Sequence, residues 1–330
     1  MRKNLLLTFA SVLLTYLLVE IVYSLAGISI YRRGEASGFQ WVVFDPIGGW
    51  VNRPRYSHGD TFRIDSKGFR EVPRPPGEAV RTLVCMGDSG TFGIWDDGAW
   101  PQFPDFPSRL QNLLPSDRVI NAGVIGYTSS HIIRQYKTRI RHLRPQIVIL
   151  RVGFNDHSMV WDARGEIREP ASALGRTLVY SLSRTFAVQT ALTLQRVSGS
   201  TKEFETRWND VSSFKENLEK LARYVSDDGA QLILVDYPIR PTSFPGRVDQ
   251  KRFPVKLWGV RDYIELSALH RPYAEAILET GQRLSLPTVK TAPRLEEPAQ
   301  AAFSSTDIVH PTARGYDVIA EMVAAMVRSL

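Results

Sequence analysis

The chain opens on apolar residues and changes texture twice. Arg2 and Lys3 precede an apolar run from Asn4 to Val19, which resumes after Glu20 as Ile21–Ile30. A membrane-spanning helix needs about 20 apolar residues, and a signal-peptide core only ~7–15. The run predicts an uncleaved signal anchor over residues 1–33. Cleavage after Ser24-Leu25-Ala26 is the alternative, and either outcome delivers the rest of the chain outside the cytoplasm. Residues 34–80, rich in Gly, Pro and Arg, predict a juxtamembrane linker with a short hairpin around Thr61–Ile64 and Phe69.

From Arg81 onward, short apolar runs recur: Thr82–Met86, Val119–Ile120, Ile147–Val152, Leu232–Val235 and, more weakly, Thr288–Val289. They are continuous rather than alternating, as strands buried on both faces of a parallel sheet should be. Between them lie helical stripes. One is Val211, Phe214, Leu218, Leu221, Ala222 and Val225, stopped by Gly229. Another is Tyr316, Ile319, Val323, Met326 and Val327. Alternating strands and helices predict one doubly wound α/β domain over 81–330, with an insertion at about 157–208. Within that insertion Ala171–Val197 reads as a helical stretch that packs on the domain, with a lid or membrane-facing element as the alternative.

Composition removes several classes of function. The formal charge of +7 is spread among acidic residues without a block of like charges, so no basic stripe for nucleic acid is present. A single cysteine, Cys85, excludes an internal disulfide; inside an apolar strand it reads as a small buried hydrophobe. The six histidines include no pair at metal-ligand spacing, and neither metal nor cofactor is expected. Gly87, Gly90 and Gly93 do not have dinucleotide-loop spacing.

The chemistry-bearing residues fall at strand ends, where doubly wound sheets bind ligands. The first strand runs into Gly87-Asp88-Ser89-Gly90, whose glycines let the chain turn sharply and expose a serine at a helix start. The second runs into Asn121-Ala122-Gly123-Val124-Ile125-Gly126 and the third into Gly153-Phe154-Asn155-Asp156. Asp307-Ile308-Val309-His310 precedes the last helix. Together they supply a nucleophile, a base, an orienting carboxylate and donors for an oxyanion. Gly-Asp-Ser-Gly also surrounds the serine of chymotrypsin-like proteases, but those are all-β with histidine and aspartate before the serine. Here only His58 precedes it.

These four blocks, in this order, resemble the SGNH (GDSL-like) hydrolase superfamily over roughly Arg81 to the C-terminus. Phe62–Arg70 is similar to the lead-in of bacterial, N-terminally anchored members. The resemblance implies a flavodoxin-like three-layer α/β/α fold with a central parallel sheet. It implies Ser89 as nucleophile, His310 as base and Asp307 as its orienting group. The oxyanion hole would be the Ser89 and Gly126 backbone N–H groups and the Asn155 side chain, with Gly123 as the alternative glycine. Asp88, Gly123 and Asp156 would support the site. Gly90 departs from the bulky apolar residue many relatives carry, which predicts a looser turn after Ser89.

The expected activity is ester hydrolysis through an acyl-enzyme on an ester-bearing small molecule, lipid or acylated glycan. An O-acyltransferase acting on a surface glycan is the alternative, and an inactive glycan-binding scaffold a third reading. His310 as base predicts activity falling below about pH 6.5. His58, His131, His142 and His270 are expected to be structural or solvated, with His157 a candidate for the pocket wall. The loop Arg240–Lys256 reads as solvated, with contact to an anionic polymer as the sharper alternative.

Overall fold

A computed structural model of the chain describes residues 2–25, 41–45, 49–74, 77–94, 105–158, 209–244 and 259–330. The chain divides into two compact units, residues 1–53 with 161–203 and residues 54–160 with 204–330. In the first unit, α1 spans Arg2–Leu25, and β1 (Val42–Asp45) pairs antiparallel with β2 (Gly49–Asn52). Leu7, Phe9, Val12 and Leu14 on α1 are exposed. Among the described residues no helix is long and apolar enough to cross a membrane. The anchor expected over 1–33 therefore finds no support in the structure.

The second unit begins with a small hairpin, β3 (Ser57–His58) and β4 (Phe62–Arg63), which runs on into the hairpin expected around Thr61–Ile64 and Phe69, where Ile64 bridges antiparallel to Arg70. Asp65 closes the next turn, its side chain accepting the backbone N–H groups of Lys67 and Phe69. The chain then reaches the sheet, where Arg70 bridges to Asn121. The main elements follow: β5 (Thr82–Gly87), α2 (Ser89–Phe92), α3 (Phe106–Leu113), β6 (Arg118–Asn121), α4 (Ser129–Gln135), β7 (Ile147–Arg151), α5 (Val211–Asp227), β8 (Gln231–Val235), α6 (Tyr263–Arg283), β9 (Thr288–Val289), α7 (Ala292–Leu295) and α8 (Ala313–Ser329).

The strand order is β6-β5-β7-β8-β9, and every pairing in this sheet is parallel. That is the doubly wound order expected: the chain steps to one side of β5, then crosses back to the other, opening a crevice at the carboxyl ends of β5 and β7. Period-two alternation divides the strand residues between two cores. Leu83, Cys85, Ile147, Ile149, Ile233 and Val235 join Phe106 and Leu110 of α3 and Tyr316, Ile319 and Val323 of α8. The alternate set, including Val84, Met86, Val148 and Leu150, is equally buried and faces the layer in which α4 and α6 both pack on α5. Each sheet face is covered, which is why the strands read as unbroken apolar runs.

Two helices that position the site gave little sequence signal. α3 is only 8 residues, started by Asp105 capping the Ser108 N–H. α6 is 21 residues long but carries Pro272 in its interior, and its buried face mixes Leu266 and Ile277 with His270, Tyr273 and Thr280. The insertion lies mostly outside the described residues, the Ala171–Val197 stretch included. Its ends are closed together, because the Asn209 N–H donates to the Asp156 carbonyl at 3.0 Å.

Candidate active site

Ser89 sits at the first position of α2, directly beyond β5. Asp88 caps this short helix, its Oδ1 accepting the Gly90 N–H at 2.9 Å. The cap is itself buttressed. The Tyr237 hydroxyl, just past β8, donates to Asp88 Oδ1 at 2.9 Å, and Asn155 Nδ2, just past β7, donates to Oδ2 at 3.3 Å. Three strand ends thus converge on one carboxylate behind the serine. Asp88 is a structural partner within the turn, as its position in the sequence suggests.

On the opposite side, the loop before α8 carries Asp307 and His310. Asp307 Oδ1 accepts the backbone N–H groups of Val309 and His310 at 3.0 and 2.9 Å, so its side chain organises the loop that holds the imidazole. Arg240 binds the same loop through its backbone N–H, 2.8 Å from the Ile308 carbonyl. The imidazole Nδ1 lies 2.7 Å from Asp307 Oδ2, and Nε2 lies 2.7 Å from Ser89 Oγ. With Nδ1–H donating to the carboxylate, Nε2 is left as acceptor for the serine proton.

Electrostatics favour this arrangement. Burial alone would raise the Asp307 pKa, but the adjacent His310 charge and three hydrogen bonds hold it below the ordinary carboxylate value. Burial opposes protonation of His310, yet the Asp307 charge and hydrogen bond, joined by the Asp88 charge, raise its pKa above 6.5. The acid limit expected near pH 6.5 from the residue type alone is therefore displaced upward.

The donors expected at the oxyanion position are distributed unevenly. The Gly123 N–H is 3.0 Å from Asn121 Oδ1 and committed to it. Gly126 adopts φ +76, a left-handed turn that suits glycine. Asn155 Nδ2 donates to the Tyr127 carbonyl at 3.1 Å as well as to Asp88. To reach an oxyanion it must exchange the longer bond to Asp88. Asp156 is engaged in a cluster with Ser129 and Asn209.

Several expectations are corrected. The turn after Ser89 is not loose: a Cβ on Gly90 would lie 2.2 Å from Arg151 Nη1 and 2.7 Å from the Tyr237 hydroxyl. His157, the candidate for the pocket wall, is fully buried, with Nε2 3.1 Å from His270 Nδ1. Arg240 is not a solvated loop residue either, since it is buried and lies over Phe244. Its neighbours Arg247, Lys251 and Arg252 lie outside the described residues. His131 and His270 are buried, and burial lowers their pKa values to about 3 and about 4. Burial pushes the Cys85 thiol well up, so it stays protonated.

Sequence reasoning placed Asn121 at the head of the second block without giving it a role, and passed over Tyr237 and Arg151. Asn121 Nδ2 reaches the carbonyls of Thr91 and Phe92 at 3.1 and 3.3 Å, tying the second block to the serine helix. Arg151 left a visible signal, a lone charge closing an apolar strand. Tyr237 left none beyond its place at a strand end.

The family model for GDSL-like lipase/acylhydrolases matches residues 85–318. The chain belongs to this family. It is accordingly a hydrolase acting on ester bonds. No curated protein matches it. Among solved structures, a lipase/acylhydrolase from Enterococcus faecalis is 17% identical with a TM-score of 0.48, over 76% of this chain and 96% of that one. A GDSL-like lipase from Bacteroides thetaiotaomicron is 15% identical with a TM-score of 0.43, over 76% and 89%. An acetylxylan esterase from Geobacillus stearothermophilus is 15% identical with a TM-score of 0.44, over 76% and 95%.

Proposed function

We propose that this GDSL-like hydrolase cleaves esters through an acyl-enzyme on Ser89, outside the cytoplasm. The observation that carries the reading is the unbroken chain from Ser89 Oγ to His310 Nε2 and from His310 Nδ1 to Asp307, both links at 2.7 Å. In the first half-reaction Ser89 Oγ attacks the ester carbonyl while His310 takes its proton, and the Asp307 carboxylate stabilises the imidazolium. His310 then returns that proton to the departing alkoxide. In the second half-reaction water attacks the acyl-Ser89 carbonyl as His310 takes its proton, and His310 passes that proton to Ser89 Oγ as the acyl–oxygen bond breaks and the acid leaves.

The Ser89 and Gly126 N–H groups and the Asn155 amide are the proposed oxyanion donors. One such donor is typically worth about 10²–10³ in kcat. A scaffold reading has no use for a base held at hydrogen-bond distance from a serine hydroxyl.

The test compares wild type with Ser89→Ala on short p-nitrophenyl esters, alongside fluorophosphonate labelling and peptide mass spectrometry. Label on Ser89 and serine-dependent release of nitrophenol are expected. A folded protein that neither labels nor turns over would exclude the acyl-enzyme. Titrating acceptor alcohols into the same assay separates hydrolysis from acyl transfer, because a transferase diverts acyl groups from water to the alcohol.

Location outside the cytoplasm, with α1 held at a membrane, belongs to the same proposal. Its support is the apolar run behind Arg2 and Lys3 and the exposed Leu7, Phe9, Val12 and Leu14. Fractionation checks it: full-length chain should sediment with membranes. Recovery of full-length chain in the cytosol would overturn it, and a soluble form starting near Gly27 would mark a cleaved leader.

A further inference from the structure

Arg151 ends β7 and is fully buried. Among the described residues none of its three guanidinium nitrogens has a hydrogen-bond partner. Its charged carbon instead lies 3.9 Å from the centre of the Tyr237 ring. A buried cation without hydrogen bonds is costly, so its place in the core requires a reason.

Two contacts supply one. Gly90 faces Arg151, and the 2.2 Å separation between a Cβ there and Nη1 leaves no room for any side chain. The Gly90 backbone is not in the left-handed region, so the glycine is required for space and not for conformation. Nη1 is the tip of a flexible chain, but at 0% exposure it has nowhere to swing. The ring that Arg151 covers belongs to Tyr237, whose hydroxyl holds Asp88 Oδ1, the cap of the serine helix.

We propose that Arg151 and Gly90 act as one unit, in which the guanidinium fills the space left by the missing side chain and braces Tyr237 and Asp88 behind the Ser89 turn. Arg151 is then a positioning residue for ester hydrolysis, acting through Tyr237 and Asp88. Its influence on rate rests on the Ser89 reading above, whereas the packing of the pair does not.

The charges around the site define a second readout. His310 faces Asp307, the Ser89 hydroxyl, Asp88 and Arg151; Asp88 faces Arg151, Tyr237, Asn155 and His310. The Arg151 charge also acts on Tyr316 of α8 and His270 of α6. Arg151 opposes protonation of His310 while Asp88 favours it. Removing the guanidinium charge should therefore raise the His310 midpoint.

The experiment is a cycle of wild type, Gly90→Ala, Arg151→Met and the double variant, in the full chain. Each is read by thermal midpoint and by NMR titration of the His310 imidazole, then by kcat/KM against pH on a p-nitrophenyl ester. Gly90→Ala should lower Tm sharply when Arg151 is present and by less in the Arg151→Met background, where the closer clash with Nη1 is gone and only the 2.7 Å approach to the Tyr237 hydroxyl remains. If Gly90→Ala alone does not fold, recovery of folded protein in the double variant reads the same coupling. Arg151→Met alone should move the His310 midpoint upward, and the acid limb of kcat/KM by the same amount. Equal losses of Tm in both backgrounds would overturn the pairing, and an Arg151→Met protein with wild-type kcat/KM and an unmoved His310 midpoint would overturn the positioning role. Wild type lacking Ser89-dependent turnover defeats the acyl-enzyme, while Tm and NMR still decide the pair.

Discussion

Asp307 and Asp156 form an instructive pair. Both are buried, and both accept backbone N–H groups. Asp307 is 1% exposed and takes the Val309 and His310 N–H groups. Asp156 is 0% exposed and takes the Ser129 N–H, the Ser129 hydroxyl at 2.5 Å and the Asn209 amide at 2.6 Å. Yet Asp307 is held below the ordinary carboxylate value, while burial, opposed by those hydrogen bonds and aided by the Asp88 charge, pushes Asp156 up to about 7. The difference is the partner. Asp307 bonds an imidazole that becomes cationic, and Asp156 bonds only neutral donors. At Asp156 the hydrogen bonds do not offset burial and the Asp88 charge, whereas at Asp307 the facing imidazolium and its hydrogen bonds outweigh burial.

Breaking each carboxylate should give opposite profiles. The largest effect is expected at the proton relay: Ser89→Ala should lower kcat by about 10⁶, as loss of a nucleophile does elsewhere. Asp307→Asn should lower kcat by about 10⁴ with little change in Tm, since the amide oxygen still accepts the two backbone bonds but cannot balance an imidazolium. Asp156→Ala should act on stability. It leaves the Ser129 N–H and hydroxyl buried without their acceptor, at about 1–3 kcal/mol for each such group. Urea unfolding should show this loss while kcat per folded molecule stays close to wild type. A large fall in kcat with unchanged stability would mean Asp156 belongs to the catalytic apparatus.

The pH dependence sharpens the contrast further. His310 must be neutral to accept the serine proton, and its raised pKa places the acid limb of kcat/KM above pH 6.5. Activity is present above the folded-state pKa and is lost as pH falls through it. In Asp307→Asn the residual activity should persist to lower pH, because the group that raises His310 has lost its charge. The smallest effect is expected in stability near neutrality. Asp156 has a folded pKa above its unfolded value, so the native state holds a proton between about pH 4 and 7 that the unfolded chain has released. Its contribution to stability is full below about pH 4 and declines as pH rises toward 7. Asp156→Asn should flatten that part of the profile, as measured by unfolding free energy against pH.

The sheet was legible because each of its strands is buried on both faces, and the four site blocks because they follow those strands or precede the last helix. The boundaries moved by only a residue or two, as from Val119–Ile120 to Arg118–Asn121. α6 was not legible, because it buries histidine, tyrosine and threonine along a face where periodicity analysis looks for aliphatic residues. The 3.1 Å His157–His270 contact was equally hidden, since the two residues lie 113 positions apart.

Local chemistry determined which residues can react. A serine between glycines at a strand end, a histidine three residues after an aspartate, and an asparagine after the third strand all read directly from the chain. Only the tertiary structure decided how each is tuned. It brings Ser89 within 2.7 Å of a histidine 221 residues away and ties Asp156 to Ser129 and Asn209. It also sets the guanidinium of Arg151 where Gly90 has no side chain. Spacing along the chain reports the short-range geometry of turns and caps. Charge, burial and close packing depend on neighbours that meet only when the sheet closes its two cores.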